Sequence, residues 1–157
     1  MATFGEAGSI TGASVTDEEQ TGYLGGFVRA AAGVGLSSVS VKNKNGDDAS
    51  DWAGSTAYAQ DDYAVPTTPN TYFYKATTAG TSDASEPTWP TTVGGTVVDG
   101  TVTWTCVGLI NQVENTDFEV KGGGILILSD AINAEDGEPI LLSYTHANAQ
   151  TVEAILN

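Results

Sequence analysis

The sequence predicts an all-β chain: a β-sandwich or barrel-like host domain with a small β module inserted into it. Three observations lead there. Short runs of Val, Ile, Thr and aromatic residues alternate with polar ones and are bounded by Gly, Asn and Asp turns. Helix signals are few. One stretch, Trp52–Gly108, breaks from its surroundings, holding all three tryptophans, four of the six tyrosines, all but one of the five prolines and the single cysteine. Residues 1–51 and 109–157 are assigned to the host and 52–108 to the insert.

Taken in order, Thr16-Asp17-Glu18-Glu19 reads as a capping box, with Thr16 as N-cap and Glu19 at the third helical position. Gly22, Gly25 and Gly26 would end that helix within about two turns. Tyr23–Ala32 is read as a glycine-interrupted strand. Val39-Ser40-Val41-Lys42 has period two and runs into Asn45-Gly46, a turn dipeptide that predicts a hairpin. Within the insert, Thr71–Thr77 and Val97–Val107 are strand-like. Thr101–Val107 alternates so that Val102, Trp104 and Cys106 share one face, fed by a turn at Asp99-Gly100. This predicts a buried Trp104. After the insert, Asp117–Val120, the Gly122–Gly124 turn, Ile125–Leu128, the Asp136-Gly137 turn and Ile140–Thr145 read as a three-stranded meander.

Composition narrows the function classes. The net charge is −15, from 20 acids against Arg29, Lys42, Lys44, Lys75 and Lys121. A surface that grips nucleic acid needs clustered bases to displace counterions from phosphate, and anionic lipid repels such a chain. No apolar window is long enough for a transmembrane helix, and Glu6 stands where a secretory signal would carry a base. A lone Cys106 forms no internal disulfide and no zinc framework.

Catalytic constellations are scarce. His146 is the only histidine, and no G-x-S-x-G elbow surrounds a serine. Asn43–Asp48 lacks the spacing and bidentate Glu of a calcium loop, and Gly122–Gly124 is followed by neither Lys nor a helix. Asp47-Asp48 and Asp61-Asp62 are adjacent, so on a strand their side chains point to opposite faces. The expectation is a protein without enzymatic activity, cofactor or metal. The binding candidates are the insert's aromatics Trp52, Tyr58, Tyr72, Tyr74, Trp89 and Trp104. They read either as a platform for sugar rings or as the module's own core, since each buries roughly 150–250 Å².

Two resemblances enter on these residues. Trp52, Tyr58, Asp61-Asp62, Pro66, Tyr72-x-Tyr74, Glu86-Pro87-x-Trp89-Pro90, Asp99-Gly100 and Thr103-Trp104 make the insert similar to a small module recurring in phage structural proteins. Its opening Trp–Tyr–Asp portion resembles chitin-binding-type carbohydrate modules, with Gln60-Asp61 where those carry Gly-Asp. That likeness implies surface-glycan contacts by Trp52, Tyr58, Tyr72, Tyr74 and Trp89. The host resembles tailed-phage tail tube proteins in Thr116–Val120, the Gly turn, Ile125–Leu128, Asp136-Gly137 and Leu142–Thr145, about a quarter of the chain.

The second resemblance implies a virion tail subunit, made in the host cytoplasm, that forms stacked hexameric rings beside other tail proteins. DNA would pass through the rings without tight binding, because carboxylates lining a lumen keep phosphates from sticking. It implies no membrane partner. The alternatives are a capsid-decoration or tail-fibre component, or a carbohydrate-binding module acting in host attachment.

Overall fold

The computed structural model describes residues 13–22, 26–30, 35–128 and 138–146, and these are all-β apart from one helical turn. The first part of the chain forms β1 (Ala13–Gly22), β2 (Phe27–Arg29), β3 (Leu36–Asn43) and the turn α1 (Lys44–Asp47). The middle forms β4 (Ser50–Asp51), β5 (Ala57–Tyr58), β6 (Tyr63–Val65), β7 (Tyr72–Thr78), β8 (Gly80–Thr81), β9 (Thr96–Asp99) and β10 (Val102–Leu109). The last part forms β11 (Phe118–Lys121), β12 (Gly124–Ile127) and β13 (Glu138–His146).

Two three-stranded sheets, ordered β1-β13-β3 and β11-β12-β2, share one apolar core. Val41, Ile140, Leu142 and Tyr144 come from the first sheet, and Val28, Phe118, Ile125 and Ile127 from the second. Period-two alternation decides this: Ile125 and Ile127 point inward, while Leu126 between them points out. The host is therefore a pair of facing open sheets, and no sheet closes into a barrel among the described residues.

Residues 50–109 build a five-stranded sheet, β4-β6-β7-β10-β9, with the small pair β5-β8 beside it. A second core contains Trp52, Ala64, Tyr74, Ala76, Val102, Trp104 and Cys106. No residue of 52–108 belongs to the first core, and none outside that span belongs to the second. The hydrogen-bonded framework reaches slightly further than the composition break, because Ser50–Asp51 and Leu109 lie within the five-stranded sheet.

Several local expectations are overturned. Thr16–Glu19 is strand, not capped helix: Thr16 and Asp17 form a bulge between Val15 and Glu18, with Asp17 at φ 51°, while Glu18 and Glu19 pair with Leu142 and Leu141 of β13. The Tyr23–Ala32 stretch is strand as expected at Phe27–Arg29, and residues 23–25 and 31–32 lie outside the described residues. Asn45-Gly46 makes no hairpin. It lies in α1, where the Asn43 side chain accepts the Gly46 N–H, and the chain then leaves for a different sheet. The meander also fails at its third strand, since β13 lies between β1 and β3 while β12 pairs with β2. A nine-residue strand gains more by pairing on both edges than by extending a four-residue hairpin. Asp136-Gly137 lies outside the described residues.

The module leaves and re-enters the host at one place. Asn43 N–H donates to Ile110 O at 2.8 Å, and Gln112 N–H donates to Val41 O at 2.9 Å. These bonds lay residues 110–112 beside the end of β3, joined to it by a single β-bridge between Lys42 and Asn111. Replacing residues 49–109 by a short Gly/Ser linker, with α1 kept, is therefore expected to leave a host that unfolds cooperatively. Urea denaturation followed by circular dichroism checks it, and loss of the cooperative transition would show the host depends on the module.

Candidate functional site

The module's aromatics meet around one carboxylate. Asp99 ends β9 and is 1% exposed. Its Oδ2 accepts the indole N–H of Trp52 at 2.8 Å and of Trp104 at 3.0 Å, and its Oδ1 accepts the backbone N–H of Asp83 at 2.8 Å. Gly100 follows at φ +61° with its backbone against Thr81, where a side chain would meet the Thr81 carbonyl. The Asp-Gly pair thus turns the chain tightly and aims the acid inward.

Around this hub two ring pairs meet edge to face and a third is tilted at 37°. Tyr58 lies 4.8 Å from Trp104 at 76°, Trp89 lies 5.7 Å from Trp104 at 61°, and Tyr74 lies 4.3 Å from Trp89. Polar tips are satisfied locally. The Tyr74 hydroxyl donates to Pro90 O at 2.9 Å and accepts from Asn70 at 2.7 Å. The Tyr58 hydroxyl accepts the Ala53 N–H at 2.8 Å. Glu86 Oε1 accepts from Trp89 Nε1 at 2.8 Å and from Thr67 N at 2.9 Å, and the Thr67 hydroxyl bonds the other carboxylate oxygen. Burial pushes the Glu86 carboxyl up, but these hydrogen bonds outweigh it and hold it below its usual range.

The structure brings together all six aromatics singled out in the sequence, and as neighbours in a core. Tyr74 and Trp104 are fully buried, as their strand faces require, and Trp52, just after β4, is nearly so. Tyr58, Tyr72 and Trp89 are half-buried and pack against that core, so these three are the rings with surface in contact with water. Cys106, on the Trp104 face, is buried, which pushes its thiol up to about 11.

The remaining candidates are dispersed. Asp61, at φ 72°, pairs with Lys75 at 2.8 Å, while Asp62 accepts the Ala59 N–H. Asp47 and Asp48 pair with Lys42 and Lys44. His146 ends β13 with its ring 6.0 Å from Tyr144. Among the described residues no three His, Cys, Asp or Glu side chains gather to hold a metal ion, and no helix is long and apolar enough to cross a membrane. Sequence reasoning took Asp99 as a turn residue only. The signal that could have found its role is an acid five residues before a core tryptophan, in a module whose indoles need acceptors once buried.

No protein-family model, curated protein or solved structure matches the chain.

Asp99→Asn should destabilise the module by about 1–3 kcal/mol, because the amide's NH2 must face a buried donor on one side. Urea unfolding monitored by tryptophan fluorescence measures it. Cys106 should resist alkylation at pH 8 in the folded protein and react once urea exposes it. Its raised folded pKa means the stability it contributes is full below its ordinary 9.0 and is lost as pH rises toward about 11. The alkaline destabilisation across that window should shrink in Cys106→Ala.

Proposed function

We propose that this chain is a virion structural protein, a tail tube subunit that self-assembles into stacked hexameric rings forming a conduit for DNA. One observation carries the reading. The segments that resemble tail tube proteins, Thr116–Val120 and Ile125–Leu128, pair as the β11–β12 hairpin of a host with open sheets and its own core, from which the aromatic module stands apart. A scaffold with unclosed sheets is suited to association, and heterologous contacts between such scaffolds close into rings. The net charge of −15 suits a passage that DNA traverses without being held. In this reading the protein has no catalytic role, is made in the host cytoplasm, and resides in the tail beside other tail proteins.

A second reading, a carbohydrate-binding, capsid-decoration or tail-fibre protein acting in host attachment, is favoured by the half-buried rings of Tyr58, Tyr72 and Trp89 on the module. Negative-stain electron microscopy of the purified full-length chain separates the two. Rings or tubes are the expected outcome. Isolated monomers that bind chitin-type oligosaccharides, with binding lost in Trp89→Ala, would favour the second reading and overturn the first.

A further inference from the structure

The two host sheets differ in how their outer faces are used. In β1-β13-β3 the inward residues Ile140, Leu142 and Tyr144 fill the core, and Leu141, out of phase with them, is still only 7% exposed. It sits in a row with Glu19 and Lys42, and α1 lies against β13 on that side. In β11-β12-β2 the outer face carries exposed apolar and charged side chains among the described residues. The register places Glu119, Leu126 and Phe27 in one row across it and Lys121, Gly124 and Arg29 in another. Phe27 is 51% exposed and Leu128, in line with Leu126, is 41% exposed.

Phe27 is held there by the strand beneath it. A Cβ on Gly124 would come within 2.9 Å of Phe27 Cζ, so the ring lies across bare glycine backbone on the outside of the sheet. At the same end, Lys121 pairs with Glu119 at 2.5 Å, and Arg29 is exposed and makes no ion pair among the described residues. The opposite side of the sandwich has the reverse character. Asp17, Glu19, Asp47 and Asp48 surround Lys42 and Lys44 there, with Lys42 Nζ 3.0 Å from Asp47 and Lys44 Nζ 2.8 Å from Asp48. The acids outnumber the bases after these pairs are made.

We infer that the outer face of sheet β11-β12-β2, centred on Phe27, Leu126, Leu128 and Arg29, docks a second copy of this chain on its acidic opposite side around Glu19 and Asp48. The inference rests on the self-assembly reading above and adds its contact surface. Apolar area supplies the attraction, and Arg29 against a carboxylate surplus sets the orientation. Nucleic acid and anionic membrane are poor occupants, since two bases in a strongly acidic chain do not hold polyphosphate. The contact is front to back, so every copy keeps one free surface of each kind and association continues until a ring closes.

Sedimentation velocity on the full chain over a concentration series tests this with Phe27→Ser, Arg29→Glu and Asp48→Lys. Phe27→Ser should lower the association constant by about tenfold or more, the effect of losing one buried aromatic. Its thermal melt by circular dichroism reports any folding defect. Arg29→Glu changes an exposed side chain that makes no ion pair among the described residues, so it should weaken association while leaving the melt unchanged. Asp48→Lys alone should also weaken it, and mixing the two charge variants should restore it, since each supplies the surface the other lacks. If the wild type assembles and both Phe27→Ser and Arg29→Glu assemble equally well, the surface is wrong and self-assembly stands. A wild type that is monomeric at every concentration overturns both.

Discussion

The module depends on the buried carboxylate of Asp99. The chain has no disulfide to staple a small domain, and Cys106 is a free buried thiol. Asp99 does the stapling through hydrogen bonds: Trp52 enters from the module's first residue, Trp104 from its longest strand, and Asp83 from the loop between β8 and β9. A buried acid lacking any of these donors would cost stability, whereas with all three it fixes both indoles in orientation. That orientation sets the edge-to-face contacts of Trp104 with Tyr58 and Trp89. The aromatic cluster is thus ordered from its polar centre outward.

The link between module and host is also polar at its centre. Asn43 is fully buried where β3 ends, and its side-chain oxygen receives the Gly46 N–H at 3.3 Å while its backbone N–H reaches Ile110. Gly46 is buried against the Phe73 ring, where a Cβ would come within 2.8 Å of it. A side chain there would push the module's central strand β7 away from the host's exit point. The two chain connections, the Phe73 ring on Gly46 and hydrogen bonds from Asn45 to Tyr63 and from Ile110 to Thr71 join the parts, and each part keeps its own apolar core.

Legibility in the sequence followed the range of the interaction. The face shared by Val102, Trp104 and Cys106 was readable because alternation along one strand is local, and the β11–β12 hairpin because its turn glycines are adjacent to both strands. The place of β13 was not readable. Its partners β1 and β3 lie more than 90 residues away, and strand pairing across that distance leaves no periodic trace. Thr16–Glu19 misled for a related reason: a polar bulged edge strand and a capped helix start have the same composition. Asn45-Gly46 misled because the turn dipeptide acts only where two strands can pair across it, and the strand after α1 belongs to another sheet. For the site, the aromatics could be found from their types, but Asp99 could not be ranked above the other acids without knowing which indoles were buried.

The shape of the host's strand edges bears on how copies could meet. β1, an outer strand, is interrupted by the Asp17 bulge and carries Asp17, Glu18 and Glu19, so an added strand would face a broken register and like charge. On the other outer strand, β3, the last residues are already paired with 110–112. β2 offers only three residues. Strand-to-strand addition is therefore poorly supported along these edges, and a sheet face with exposed apolar residues is the larger opportunity. Facial packing also tolerates a strong net charge better than edge pairing does. Carboxylates at the rim of a face can remain in water while Phe27 and Leu126 are covered, whereas a carboxylate on a paired edge strand is held against the incoming backbone.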